Sequence, residues 1–355
     1  MGKSLELKDK RIGLYGLGTE TERFIKIHGN ELEIVGLLDG YKERGEQFGY
    51  PILSLQQAVE LGVEVVLVIA RPGSCKVIAK RIKDICIANG ILVYDVRGNN
   101  LLVERHPLYE FTDIPTYTKN DLLNQIDEAD VISFDLFDTL INRKISDYTD
   151  VFELVANQIG VKAIPYIRIA AEKELSRDSS PTLVEIYNLV KKELPEIKES
   201  AKELATIEWQ IDAKTMAPRT DMRDITIYAK NQGKKTILTS DSYYSKKQLK
   251  SLLEKFQLDV FDELFVSCEY GTFKTQNLFE KVKEAYKGKK ILHIGNDDLA
   301  DVEKARLFGI KPFQIYGSNG LLDALGGMGI EPFTKDYSDR AKLGLFLSRL
   351  FSSPF

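Results

Sequence analysis

DVISFDLFDTLINR, residues 130–143, is the stretch on which the fold turns. An apolar run, Val131 to Phe134 with Ser133 inside it, ends on the carboxylate Asp135 and breaks at once into a polar turn around Asp138 and Thr139. A short apolar run closed by turn residues reads as a strand buried in a parallel sheet. Four similar runs follow: KKTILTSD (234–241), DELFVS (262–267), KILHIG (290–295) and KPFQIY (311–316). Between the first run and the second, residues 142–230 carry DVFELVANQIG, IRIAAEKELSR, LVEIYNLVKKEL and IKESAKELATIEWQIDAK, each with apolar residues spaced by three and four. That spacing is helical. The prediction is an α/β core, residues 120–141 and 231–316, with a helical block, 142–230, inserted after its first strand.

Upstream, residues 1–100 alternate in the same way. RIGLYG (11–16), LEIVGLLD (32–39), VEVVLVIA (63–70) and ILVYDV (91–96) read as strands. TETERFIKIH (19–28), LSLQQAVELG (53–62, capped by Ser54) and SCKVIAKRIKDICIANG (74–90) read as helices. Such alternation builds a parallel sheet with helices on both faces, so the fold class is α/β with two Rossmann-like, three-layer parallel-sheet domains. Residues 101–119, with Pro107 and Pro115 and no periodicity, read as a linker. The tail, 317–355, opens Gly-rich and ends in AKLGLFLSRLF, an apolar segment expected to dock on the protein.

Composition narrows the function. In 355 residues the net charge is −4 with both signs interspersed, which gives no footprint for nucleic acid or an anionic membrane. Three cysteines without a C-x-x-C pair suggest neither a disulfide framework nor a zinc site. No run is long enough to span a bilayer, the N-terminus lacks the apolar core of a signal peptide, and Gly2 lacks the Ser or Thr at position 6 that myristoylation needs. The expectation is a cytoplasmic enzyme or binding protein.

Polar groups stand at four successive strand ends, where an open parallel sheet builds its site. They are Asp135; Thr239, Ser240 and Asp241; Lys274 in YGTFKTQNLF; and GNDDLAD (295–301). Together they suit displacement at an anionic centre. A carboxylate can attack phosphorus, while hydroxyl, ammonium and backbone N–H groups bind the oxygens. Further carboxylates can hold Mg²⁺, which prefers oxygen ligands.

ISFDLFDTL, ILTSD, GTFK and HIGNDDLADVEKARLFGI, in this order and with a helical insert after the first, resemble the four motifs of the haloacid dehalogenase (HAD) superfamily. The likeness covers 130 to about 316, and the insert is similar to a helical C1-type cap. FDLFDTL, TIEWQIDAKTMAP and TSDSYYS resemble HAD-type hydrolases of bacterial surface-polysaccharide gene clusters. The resemblance implies Asp135 as nucleophile, Thr139 as the motif-one threonine, and Ser240, or Thr239 in the alternative register, as the motif-two hydroxyl. It implies Lys274 as the motif-three cation and Asp135, Asn296, Asp297 and Asp301 as the Mg²⁺ set. A small phosphorylated metabolite such as a sugar phosphate is the implied partner.

Two positions depart from that pattern. Phe137 stands where phosphatases place their general acid, a group worth about 10²- to 10⁴-fold in rate, and Asn296 stands where they place an aspartate. Asp138 is the candidate relocated acid, and Arg143 the candidate anion-binding side chain. The same two changes resemble the metal-independent dehalogenase branch. Three readings follow: a phosphohydrolase, a HAD-like ligand-binding or regulatory protein without turnover, and a dehalogenase-type hydrolase.

Simpler roles are available for several of these residues. Asp297, Asp298 and Asp301 suit caps of the following helix, Thr239 and Ser240 suit caps of the helix in SKKQLKSLLEKF, and His293 suits a satisfied core position. Glu172, Arg177 and Glu208 resemble family positions facing the site but read as a solvated helix face. In the first domain, Gly16 and Gly18 of GLGTET follow a strand and open a helix, and Asp39 ends the next strand. That spacing suits a nucleotide or sugar nucleotide, although Thr21 replaces the third glycine.

Overall fold

The computed structural model describes residues 7, 10–70, 72–96, 100–102, 117–318, 320–321 and 337–355. Most of the expected linker therefore lies outside the described residues. The chain divides into two units, Met1–His106 with Tyr166–Arg177, and Pro107–Pro165 with Asp178–Phe355.

In the first unit the strands are β1 (Arg11–Tyr15), β2 (Glu33–Leu38), β3 (Glu46–Gln47), β4 (Tyr50–Leu53), β5 (Val65–Val68) and β6 (Leu92–Asp95). Their order is β3-β4-β2-β1-β5-β6. All neighbours are parallel except β3 and β4, which pair antiparallel. Side chains of a strand alternate between faces, and β5 shows what that demands. Val65 and Leu67 pack with Ile12, Leu14 and Leu37, whereas Val66 and Val68 pack with Tyr15, Leu38 and Val93. Both faces are thus covered, as expected of a parallel sheet whose strands are continuously apolar. Helices Thr19–His28, Leu55–Glu60 and Pro72–Ala88 alternate with these strands, and residues Tyr166–Arg177 also belong to the unit. Ser54 caps the second of them through a capping box with Gln57.

The β3–β4 hairpin was not anticipated. Its two turn residues, Phe48 and Gly49, both have positive φ (52° and 80°), the requirement of a two-residue hairpin turn. A phenylalanine there gives no turn signal in the sequence.

In the second unit β7 (Val131–Phe134), β10 (Lys235–Ser240), β11 (Glu263–Val266), β12 (Ile291–Gly295) and β13 (Lys311–Gln314) form a parallel sheet ordered β11-β10-β7-β12-β13. β7 is central, and Phe134 aligns with Leu238 on one side and Ile294 on the other. Asp135 is therefore delivered to the middle of the carboxyl edge. β8 (Ile141–Arg143) and β9 (Met216–Pro218) pair antiparallel and close the two ends of the inserted block into a stem. Among the inserted helices, Asp150–Ile159 and Leu183–Glu193 both pack on Ala201–Thr215.

The C-terminal helix, Tyr337–Leu350, docks on that stem. Its Arg340 forms a buried, bidentate pair with Asp150, at 2.9 Å and 2.8 Å from Nε to the two carboxylate oxygens. A Cβ on Gly344 would lie 2.3 Å from Ile145 backbone, so only glycine permits this approach. Among the described residues no helix is long and apolar enough to cross a membrane.

Candidate active site

Asp135, one residue beyond β7, is 5 % exposed, and its backbone N–H donates to the Ile294 carbonyl of β12. Lys274, 3 % exposed, donates from Nζ to Asp135 Oδ1 at 2.8 Å and also to Asp301 Oδ1. One ammonium therefore serves two buried carboxylates. A third carboxylate, Asp241, accepts the Lys274 backbone N–H at 2.9 Å. Burial pushes the Asp135 carboxyl up to about 7 against the pull of Lys274, and the Asp301 charge adds to the rise. Asp301 is driven the other way, well below the usual carboxylate range, because Lys274 and His293 outweigh its burial. Asp135 and Asp301 in turn hold Lys274 firmly charged against its burial.

Beneath this pair runs a second layer. Asp301 Oδ1 lies 3.1 Å from His293 Nε2, His293 Nδ1 lies 2.8 Å from Ser133 Oγ, and Ser133 Oγ lies 2.8 Å from Thr239 Oγ1. Burial lowers the His293 pKa, so the ring is neutral. With Asp301 able only to accept, Nε2 carries the proton, Nδ1 accepts from Ser133, and Ser133 accepts from Thr239. Asp301 Oδ2 accepts the Asp297 N–H at 2.9 Å. Gly295 is essential to this packing, since a Cβ there would sit 2.3 Å from the Asp301 carboxyl.

The register of the β10 hydroxyls follows from this network. Thr239 is occupied inside the sheet, whereas Ser240 Oγ is fully buried and has no partner among the described residues. Neither caps the next helix. That cap is Ser245, in a capping box with Gln248. Asp297 does cap, accepting the Ala300 N–H at 2.7 Å at the start of the π-helical turn Asp298–Glu303.

In the loop after Asp135, Asp138 adopts φ 54°, a left-handed conformation unusual for a residue with a side chain. Its N–H donates to Ile141 O, and its carbonyl accepts from Arg219 Nη1 at 2.6 Å. Burial raises its carboxyl pKa, opposed by Arg143 and Arg219. Thr139 donates to Asn296 Oδ1 at 3.1 Å, which ties the loop to the end of β12. Phe137 lies under the Arg143 guanidinium, 4.5 Å from ring centroid to Cζ. Arg143 is held by Asp212 through Nε and Nη2 at 3.0 Å and 2.8 Å, and Tyr244 donates to the same carboxylate at 2.8 Å.

Sequence reasoning missed the roles of Asp212, Tyr244 and Arg219 and expected Glu208 on a solvated face. Glu208 is fully buried and accepts from Tyr187 at 2.8 Å. The available signal was the four-residue spacing of Glu208 and Asp212 in TIEWQIDAK, which puts two carboxylates on one helix face beside its apolar residues.

Among the described residues, no three His, Cys, Asp or Glu side chains come together as a metal cage. Both Asp301 oxygens are spent, and Asp297 is a cap. Asp135 Oδ2 and Asn296 Oδ1, the latter already accepting from Thr139, are the oxygens placed to meet a hard cation. Mg²⁺ commonly binds through one or two protein oxygens while keeping several waters. Charge supplies the reason for such an ion: Asp135, Asp241 and Asp301 share one lysine, and the Asp301 charge adds to the rise that burial imposes on the Asp135 pKa. The residues present fit Mg²⁺ on those terms.

In the first unit Gly16 has φ 135°, and a Cβ there would lie 2.8 Å from the Ile69 carbonyl at the end of β5. Gly18 is the N-cap of the helix Thr19–His28. Asp39 Oδ1 accepts from the backbone of Tyr41 and Lys42 at 2.9 Å and 3.2 Å, within its own turn.

No protein-family model matches the chain, and no curated protein does. Among solved structures, L-2-haloacid dehalogenase from Xanthobacter autotrophicus is similar at 16% identity and TM-score 0.40, over 62% of this chain and 88% of that one. A predicted phosphoglycolate phosphatase from Haemophilus somnus has 14% identity and TM-score 0.38, over 54% and 87%. A HAD family enzyme from Bacteroides thetaiotaomicron has 14% identity and TM-score 0.41, over 53% and 94%. Likeness at this level carries nothing about activity.

Proposed function

We propose that this chain is a HAD-type phosphohydrolase that uses Asp135 as nucleophile on a small phosphorylated metabolite, a sugar phosphate being the leading candidate. The observation that carries the reading is the Lys274 ammonium shared by Asp135 and Asp301 at the carboxyl edge of a parallel sheet. An oxygen of Asp135 bonds to phosphorus as the bond to the leaving oxygen breaks, giving an acyl-phosphate. Water then attacks phosphorus, restores the carboxylate and releases phosphate. Lys274 and the unpartnered Ser240 hydroxyl bind phosphoryl oxygens. Asp135 and Asn296 would hold Mg²⁺, which when bound supplies Lewis-acid shielding of the phosphoryl charge.

Phe137 cannot protonate the leaving oxygen. Asp138, whose carboxyl burial keeps more protonated, is the proposed donor, and Arg143 the proposed contact for an anionic or hydroxylated part of the substrate. The test is a panel of sugar phosphates and activated aryl phosphates, with borohydride reduction of any aspartyl phosphate followed by peptide mass analysis. Turnover sensitive to chelator, with the label on Asp135, is expected. Absence of turnover on the whole panel together with an unlabelled Asp135 overturns the reading and favours a ligand-binding role. Halide release from 2-haloacids unaffected by chelator favours the dehalogenase reading.

A further inference from the structure

Behind the stem of the insertion lies a cavity of about 430 Å³, bounded by Lys144 and Ile145 after β8, Leu154 and Gln158 of helix Asp150–Ile159, Ile211, Lys214 and Thr215 of helix Ala201–Thr215, and Ala341 of the C-terminal helix. Its volume falls in the range of small-molecule sites, roughly 300–1,000 Å³. We propose that this cavity binds a small organic anion with an apolar body, such as an aliphatic carboxylate or a phosphate monoester of an apolar alcohol.

Three observations carry the proposal. The walls are Ile145, Leu154, Ile211 and Ala341, a surface for hydrocarbon. The cations at its edges, Lys144 and Lys214, come from opposite sides of the stem, and neither has a carboxylate partner among the described residues. Among the described residues that line it none is acidic, so Lys144 and Lys214 are its charged side chains. Lysine stems can lie along apolar walls while their ammonium groups meet a carboxylate at the mouth.

The position gives the site a physical connection to the loop that bears Asp135. Thr215, which lines the cavity, donates to Asp212 Oδ1 at 3.0 Å, and Asp212 holds Arg143 over Phe137. Lys144 is the next residue after Arg143. Binding itself does not depend on the activity proposed for Asp135, so the two readings stand or fall separately.

Sodium octanoate is the probe, with 1-octanol as its neutral counterpart, titrated into the full chain by calorimetry. Saturable binding of octanoate at one equivalent is expected, weaker by at least tenfold in the Lys144→Gln/Lys214→Gln double variant, which replaces one half-buried and one exposed lysine and is expected to leave the unfolding midpoint unchanged. Octanol is expected to bind the wild type and the double variant alike. Ala341→Trp, which fills the cavity, is expected to abolish both. The proposal is overturned if octanoate gives no saturable binding, or if the double variant and Ala341→Trp bind it as the wild type does.

Discussion

Replacing Asp135 by Asn is expected to stabilise the protein while ending turnover, and the gain depends on pH. In the folded chain the Asp135 carboxyl is pushed from its ordinary 3.8 up to about 7. A carboxyl with a raised pKa favours the fold while protonated, so its contribution is lost as pH climbs from the unfolded value through the folded one. The shift is about three units, and at about 1.36 kcal/mol per unit the ionised group costs about 4 kcal/mol above pH 7. Asparagine mimics the neutral acid and does not pay it.

The difference in unfolding free energy between variant and wild type is therefore near zero below pH 4. It grows by about 1.4 kcal/mol per pH unit from pH 4 to 7 and levels off at about 4 kcal/mol. Asp301 and Lys274 interact directly with Asp135, so the difference reports the titration of the coupled group centred on position 135. Urea titrations in chelator, followed by the single tryptophan, Trp209, report on the second unit. Saturating Mg²⁺ is expected to stabilise wild type and to narrow the gap, because it binds the ionised carboxylate. A difference that stays flat across pH, or an Asn variant less stable than wild type at pH 8, refutes the burial cost assigned to the ionised Asp135 carboxyl.

Lys274→Met leaves Asp135 and Asp301 buried without their shared cation, and a loss of about 3–5 kcal/mol in urea unfolding is expected together with loss of turnover. Gly295→Ala drives a methyl group into the Asp301 carboxyl, so a lowered unfolding midpoint and reduced activity are expected. Ser240→Ala separates function from stability. Because its hydroxyl has no partner among the described residues, unfolding is expected to change by less than about 1 kcal/mol, while kcat is expected to fall at least about tenfold if that hydroxyl meets the transferred phosphoryl group. Asp138→Asn is expected to slow alkyl phosphates more than activated aryl phosphates, and equal slowing of both excludes Asp138 as the proton donor.

Much of the architecture was legible because a parallel sheet writes itself as continuous apolar runs. β1, β2, β5, β6, β7, β10, β11, β12 and β13 all fall within runs read as strands, and Asp135 falls one residue past its strand as the turn chemistry required. What was not legible depended on pairing across distance. Ser133 reads as an interruption in an apolar strand and His293 as an isolated core histidine. Their meaning appears only when β12 lies beside β7 with His293 aligned to Ser133. Likewise Asp212, within a helix of the insert, shows no local sign that it will hold Arg143, 69 residues away.

The exchange at position 137 is better understood as a change of partner than as a loss. A carboxylate there would sit beneath the Arg143 guanidinium and compete with Asp212 for it. Phenylalanine instead gives that cation an aromatic face, an interaction of about 0.5–2 kcal/mol depending on how far it is desolvated. The guanidinium is already paired along one edge by Asp212, which fixes its plane, and Tyr244 in turn fixes Asp212. A positioned cation thus stands over Phe137 in the loop that follows Asp135. It cannot donate a proton, because arginine stays charged at any pH the protein meets, but it can bind negative charge. Substrates whose leaving group carries its own anion, or needs little protonation, gain most from that exchange. Under the proposed function Arg143 sets the substrate preference, and Arg143→Lys, which keeps the charge but loses the flat stacking on Phe137, is expected to raise KM with little change in kcat.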